Sequence, residues 1–303
     1  MKNLIKSLFF ILASTIYSFQ LIAQSDDATG LPGDNFDLQG ALEMFKNANS
    51  PEEFEKMINT QDNHVNNLDL NEDGDIDYIK VIDKSEGDEH AFVLQVAISA
   101  NENQDIAVIE LEKNGKESAI VQIVGDEDIY GESLVFEPKG DDENSTSKQR
   151  GPHVYYNSDD IVVVNVWYWP SVRFVYGPIY HPWVSPFRWA YYPAWWRPWR
   201  PMAYTAFHPF RIRYHTAFVA APFHRTVRVH KIYTPARVTS VSVTTRNRSA
   251  VNNYRVNRKT TTVHATNGNR TVKAKKTTTT VTGKRGNKVK TSNTKVKSNR
   301  KHN

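Results

Sequence analysis

The hydrophobic repeat of this 303-residue chain changes its period near residue 76, and that switch constrains the fold more than any other feature. Before it, apolar residues recur at helical spacing. Leu38, Ala41, Leu42 and Phe45 line one face of 37–48, and Phe54, Met57 and Ile58 line a second short segment. Ser50-Pro51-Glu52-Glu53 is a good start for that second helix, with a capping serine, proline in the first turn and glutamate three residues on. After residue 76 the repeat is two. Strands are expected near 76–83, 90–100, 104–113 and 117–124; in the second, Phe92, Leu94, Val96 and Ile98 alternate with Val93, Gln95 and Ala97. Asn114-Gly115 is a favoured hairpin turn. Two short helices followed by sequential strands predict an α+β domain over 35–138, built on an antiparallel meander, with enough chain for one modest core.

Where the period changes stands Asp69-Leu70-Asn71-Glu72-Asp73-Gly74-Asp75-Ile76-Asp77. Oxygen-bearing side chains recur at alternate positions around a glycine that permits a sharp turn. Calcium is a hard cation that takes six to eight oxygens, and a short loop can supply most of them. Asp69, Asn71 and Asp73 offer side-chain oxygens, Asp75 its backbone carbonyl, and Asp77 a carboxylate, directly or through water. Ile76 falls where an apolar residue anchors such a loop to the core. Without a cation, Asp69, Asp73, Asp75 and Asp77 repel at about 1 kcal/mol per close pair even in water. The stretch resembles an EF-hand-type calcium loop, with one departure: Lys80 stands at the twelfth position, where an EF-hand places a bidentate glutamate. It is closer to the helix-free D-x-N-x-D-G-x-x-D loops of integrin-type FG-GAP repeats and, more distantly, of dockerins. The resemblance covers residues 69–80 in a single copy, so it implies a Ca2+ loop and not those folds. Affinity on the order of 0.1 to 1 mM is expected, as in extracellular calcium modules.

Residues 1–23 read as a removed signal peptide: Lys2 and Lys6 precede the apolar run 8–13, and Ala23 allows cleavage before Gln24. Residues 24–34 then form a linker. The chain has no cysteine, which excludes a disulfide scaffold, a lipid-modified lipoprotein and thiolate metal or redox sites. The acidic run 125–132 reads as a solvated turn. A polar linker at 139–152 marks the expected domain boundary.

Beyond that boundary the composition changes. All seven Trp lie between Trp167 and Trp199, and nine of the fourteen Pro lie between Pro170 and Pro222. Proline at this frequency predicts that 170–222 is extended or looped, within a Trp/Tyr/Pro/Arg-rich segment spanning 153–235. Its Trp, Tyr and Arg suit either a membrane–water interface or packing onto the first domain. His181, His208, His215, His224 and His230 match no tight metal spacing, and no carboxylate follows Asp160 to orient them, so they read as surface or packing residues. Residues 236–303 are Thr/Asn/Lys/Arg-rich and are expected to be disordered.

Charge is divided between the halves. Residues 25–150 hold 9 Lys/Arg and 31 Asp/Glu, whereas residues 151–303 hold 27 and 2. The basic half is expected to bind a polyanion or anionic membrane surface (lipopolysaccharide, acidic polysaccharide or extracellular nucleic acid), or to fold back on its own acidic domain. No nucleophile elbow, H-E-x-x-H, phosphate-cradling glycine loop or Cys/His pair occurs. The sequence therefore predicts a non-enzymatic calcium-binding protein of the periplasm, outer envelope or extracellular space, with a basic aromatic extension. The alternative is a membrane-active segment masked by the acidic domain.

Overall fold

A computed structural model describes residues 28–140, 154–155, 162–221, 223–256, 258–267, 270–282 and 288–300. The expected leader at 1–23 and most of the linker at 139–152 lie outside them. The chain adopts the α+β class read from its sequence. Helix α1 spans Leu38–Asn47, capped by Asp37, whose carboxylate accepts from Gln39 N. Helix α2 spans Pro51–Ile58, and Ser50 caps it by accepting from Glu53 N at 3.1 Å. The long strands β1 (Ile79–Glu86), β2 (Glu89–Ser99), β3 (Glu102–Gly115) and β4 (Ser118–Gly125) then run as an antiparallel meander. A single-turn helix α3 (Glu127–Tyr130) leads to the short strand β5 (Val135–Pro138).

Two local expectations shift. Strand β1 starts at Ile79 and not at residue 76, because Ile76 N and Asp77 N are taken by Trp199 O and Leu68 O. The last hairpin turns at Lys116-Glu117: an irregularity between Lys113 and Gly115 shifts the register, and Gly115 pairs with Ser118.

Further along lie a two-strand pair, β6 (Val154–Tyr155) and β7 (Val162–Val163), then helices α4 (Pro170–Val175) and α5 (Tyr204–Arg211), strand β8 (Phe218–Ala220), and helices α6 (Val227–Tyr233) and α7 (Val241–Val256). Strand β8 pairs with β5 and completes a six-stranded sheet of order β1-β2-β3-β4-β5-β8. The Pro-rich segment is thus not wholly extended. Pro170 sits at the start of α4, where a missing N–H costs nothing. Pro209 lies inside α5, which ends two residues later and passes into a 3-10 turn at Ile212–Tyr214.

Both faces of the sheet are covered, so β2 is buried along nearly its whole length. On one face α1 and α2 contribute Phe45 and Phe54, and Phe45 sits between Phe54 and Phe92 of β2, with ring centroids 5.4 and 5.2 Å away. Val166, Val172, Val175, Tyr214 and Phe218 join this core, and Trp167, Trp169 and Trp183 pack against it. On the other face Val229 and Tyr233 of α6 cover Ala91, Val93, Val108 and Val124. The boundary expected at 139–152 therefore does not separate two cores: residues 28–257 form one compact unit, because apolar side chains beyond it complete the core before it. Nor is the tail disordered from residue 236. Ser240 Oγ accepts from Val243 N at the start of α7, Val243 is fully buried, and Tyr254 donates to Glu132. A second unit holds the antiparallel strands β9 (Arg258–Asn267), β10 (Arg270–Thr282) and β11 (Lys288–Arg300), in the order β11-β10-β9.

Candidate functional site

The Asp69–Asp77 loop is wound by its own side chains. Asp69 accepts from Asp73 N at 3.1 Å through one oxygen and from Gly74 N at 3.0 Å through the other. Asn71 Oδ1 accepts from Asp73 N, and Asp73 Oδ1 from Asp75 N, both at 2.9 Å. Asp77 Oδ2 closes the loop by accepting from Leu70 N. Glu72 and Gly74 occupy the left-handed region at φ 62° and 87°, and the glycine makes that turn without strain. Ile76 is buried, in the anchoring place the pattern gives it. Asp73 and Asp75 are exposed, and Asp77 is buried. Burial, followed by the nearby Asp69 and Asp73 carboxylates, raises the Asp77 pKa from 3.8 to about 7. The folded loop therefore holds that proton more tightly than the unfolded chain does. Without a cation, this group's contribution to stability falls as pH rises between those two values.

The chain that leaves the loop is anchored by a buried carboxylate. Glu55 of α2 accepts four hydrogen bonds: Tyr78 OH at 2.7 Å and Ser185 Oγ at 2.8 Å on Oε1, Val81 N at 2.9 Å and Trp183 Nε1 at 3.1 Å on Oε2. Burial raises its pKa against the pull of these donors. Tyr78 is ringed by Phe187, Tyr192, Trp195 and Trp196, and Trp199 O receives Ile76 N at 2.8 Å. The aromatic segment thus packs directly against the end of the loop.

The sheet's other face carries a row of acids met by the basic segment 224–237. Arg225 pairs with Glu137 at 2.9 Å, and Arg228 pairs with Glu89 at 2.7 Å and Glu112 at 3.0 Å. Arg237 grips Asp126 through two nitrogens and reaches Asp128 at 2.6 Å. Glu110, fully buried on β3, meets His224 Nε2 at 2.5 Å and His230 Nδ1 at 2.8 Å, and Thr226 Oγ1 donates to it at 2.5 Å. Burial pushes the Glu110 pKa up, but the hydrogen bonds from both histidines and Thr226 leave it below the ordinary value; Glu110 in turn raises that of His230.

Among the described residues, Glu110, His224 and His230 form the group of carboxylates and imidazoles whose ligating atoms all lie within 4.8 Å of one another. The Asp69–Asp77 carboxylates do not make such a group; a cation there would need Asn71 and backbone carbonyls as well. The expectation that no carboxylate orients His224 and His230 is corrected here: both meet Glu110. Their carboxylate comes from 114 and 120 residues upstream, beyond the reach of any local spacing. The one sequence hint is the glutamate between Ile109 and Leu111, which interrupts the apolar run that begins at Ile106. No helix of the described residues is long and apolar enough to cross a membrane. Comparison with protein families, curated proteins and solved structures gives no match for this chain.

Proposed function

We propose that the chain is an exported, non-enzymatic protein that binds an anionic envelope or extracellular polymer through its C-terminal basic segment. A Ca2+ ion in the Asp69–Asp77 loop stabilises the unit that carries this segment. The division of charge is the observation behind the proposal. Arg225, Arg228 and Arg237 are held in ion pairs with the unit's own acids. Residues 258–303, in contrast, contain 14 Lys/Arg and no Asp or Glu. Such a segment displaces counterions from a polyanion, so its affinity depends steeply on salt. Calcium is supported by a loop already wound so that oxygens of Asp69, Asn71 and Asp73 turn toward its backbone, and by the cost of burying Asp77 beside two further carboxylates.

The test is a titration of labelled heparin, an acidic polysaccharide, with the full chain and with a chain ending at Val256. Full-length affinity should fall about 10³-fold or more between 50 and 200 mM salt, by analogy with proteins that neutralise several phosphates. The shorter chain should bind weakly at either salt. Equal binding by both chains would reject the proposal. The second reading, a masked membrane-active segment, draws on the same ion pairs. It would require Trp196 and Trp183 to leave a core in which Trp196 is buried and Trp183 donates to Glu55.

A further inference from the structure

We propose that Glu110, His224 and His230 form a second metal site, for one divalent ion of the zinc type, that clasps the 224–230 segment onto strand β3. The case begins with the pattern of partners on this face. Glu137, Glu112 and Asp126 are each met by an arginine, whose fork suits a carboxylate. Glu110 is met by two imidazoles, one on each oxygen. Imidazole is a ligand for borderline metals, and a carboxylate with two histidines is a recurring zinc set.

Geometry supports the same conclusion. In a tetrahedral shell with bonds of about 2.0 to 2.1 Å, neighbouring ligand atoms stand roughly 3.3 Å apart. Here the carboxylate oxygens lie 2.5 and 2.8 Å from the two nitrogens, and all three ligating groups fall within 4.8 Å. The carboxylate oxygens and the ring nitrogens would have to move apart by roughly 0.5 to 0.8 Å to reach that spacing around an ion. Glu110 is backed by Thr226, whose hydroxyl donates to Oε2 and lies 3.3 Å from Gln122 Oε1, the kind of outer support that orients a ligating carboxylate. The Glu110 side chain is fully buried, whereas those of His224 and His230 are 26% and 37% exposed, so an ion enters from solvent past the rings. Three protein ligands leave one position for water. Nitrogen donors set this site apart from the all-oxygen Asp69–Asp77 loop, so the two should sort a soft-leaning from a hard cation.

The experiment uses the full chain, stripped with a chelator and titrated with Zn2+ against a chromogenic zinc indicator in 1 mM Ca2+. One Zn2+ per chain is expected, with affinity reduced about 100-fold in His224→Gln or His230→Gln and about 10-fold in Thr226→Val. X-ray absorption at the zinc edge, on the unsubstituted chain with one equivalent of metal, should count two imidazoles, so the result does not depend on any variant folding. Binding left unchanged in the His224→Gln/His230→Gln double variant would overturn the site. So would an edge spectrum without two imidazoles, or no stoichiometric binding tighter than about 10 µM.

Discussion

Replacing Glu55 with alanine is expected to remove about 3 to 5 kcal/mol of stability, measured as a fall in melting temperature on the order of 10 °C. The loss arises from what the carboxylate leaves behind. Val81 N, Trp183 Nε1, Tyr78 OH and Ser185 Oγ all donate to it, and each unsatisfied buried donor costs about 1 to 3 kcal/mol before water or relaxation recovers part of that. These donors come from β1, from the residue before it and from the aromatic segment, so the substitution loosens the seam that holds segment 183–199 behind the loop. Glutamine separates this cause from plain packing. Its amide oxygen can take the two N–H donors on Oε2, while its NH2 faces Tyr78 and Ser185, whose hydroxyls can turn to accept. Glu55→Gln should therefore cost less than about 1 kcal/mol, helped by no longer burying a charge. Equal losses in the two variants would show that the hydrogen bonds are not what holds the seam.

Arg237→Ala should cost a similar amount, about 3 to 5 kcal/mol, because it strands the Asp126 carboxylate, which is buried beneath it. Burial already raises the Asp126 pKa, and Arg237 is the main influence that lowers it. Asp126 also caps α3 by accepting from Asp128 N at 2.9 Å. The double variant Arg237→Met/Asp126→Asn keeps a competent cap and removes both charges, so most of the lost stability should return. Urea denaturation of the four chains in the cycle reads the coupling directly, and additive losses would mean that the pair is not what fastens the basic segment to the sheet.

These couplings also show which parts of the fold can be read in the sequence. Local rules were sufficient for α1, α2 and β2, since Ser50 and Asp37 cap within a few residues and the alternation of Phe92, Leu94 and Val96 is a local pattern. They were also sufficient to place a tight turn at Gly74 and the buried Ile76 after it. They failed where distant segments complete one another. A Pro-rich stretch has no period, so nothing in 170–222 announces that Val172 and Phe218 finish the core begun by Phe45. Helix α7 is polar enough to resemble a disordered tail, yet Val243, Val251 and Tyr254 fall on one stripe at helical spacing and are the residues it turns inward. Glu110 and its histidines are separated by more than a hundred residues, and only the meander together with the return of segment 223–236 brings them together.

The most direct measurement is the thermal unfolding of the chelator-stripped chain at pH 7, with and without calcium, for the native sequence and for Asp73→Ala. Calcium at 100 times its dissociation constant should add about 2.7 kcal/mol to the native sequence. The same titration should release protons, since burial raises the Asp77 pKa and a cation displaces the proton that the carboxyl holds. Asp73→Ala should lose both responses. A native chain whose melting ignores millimolar Ca2+, matched by an equally indifferent Asp73→Ala, would contradict a calcium-stabilised loop.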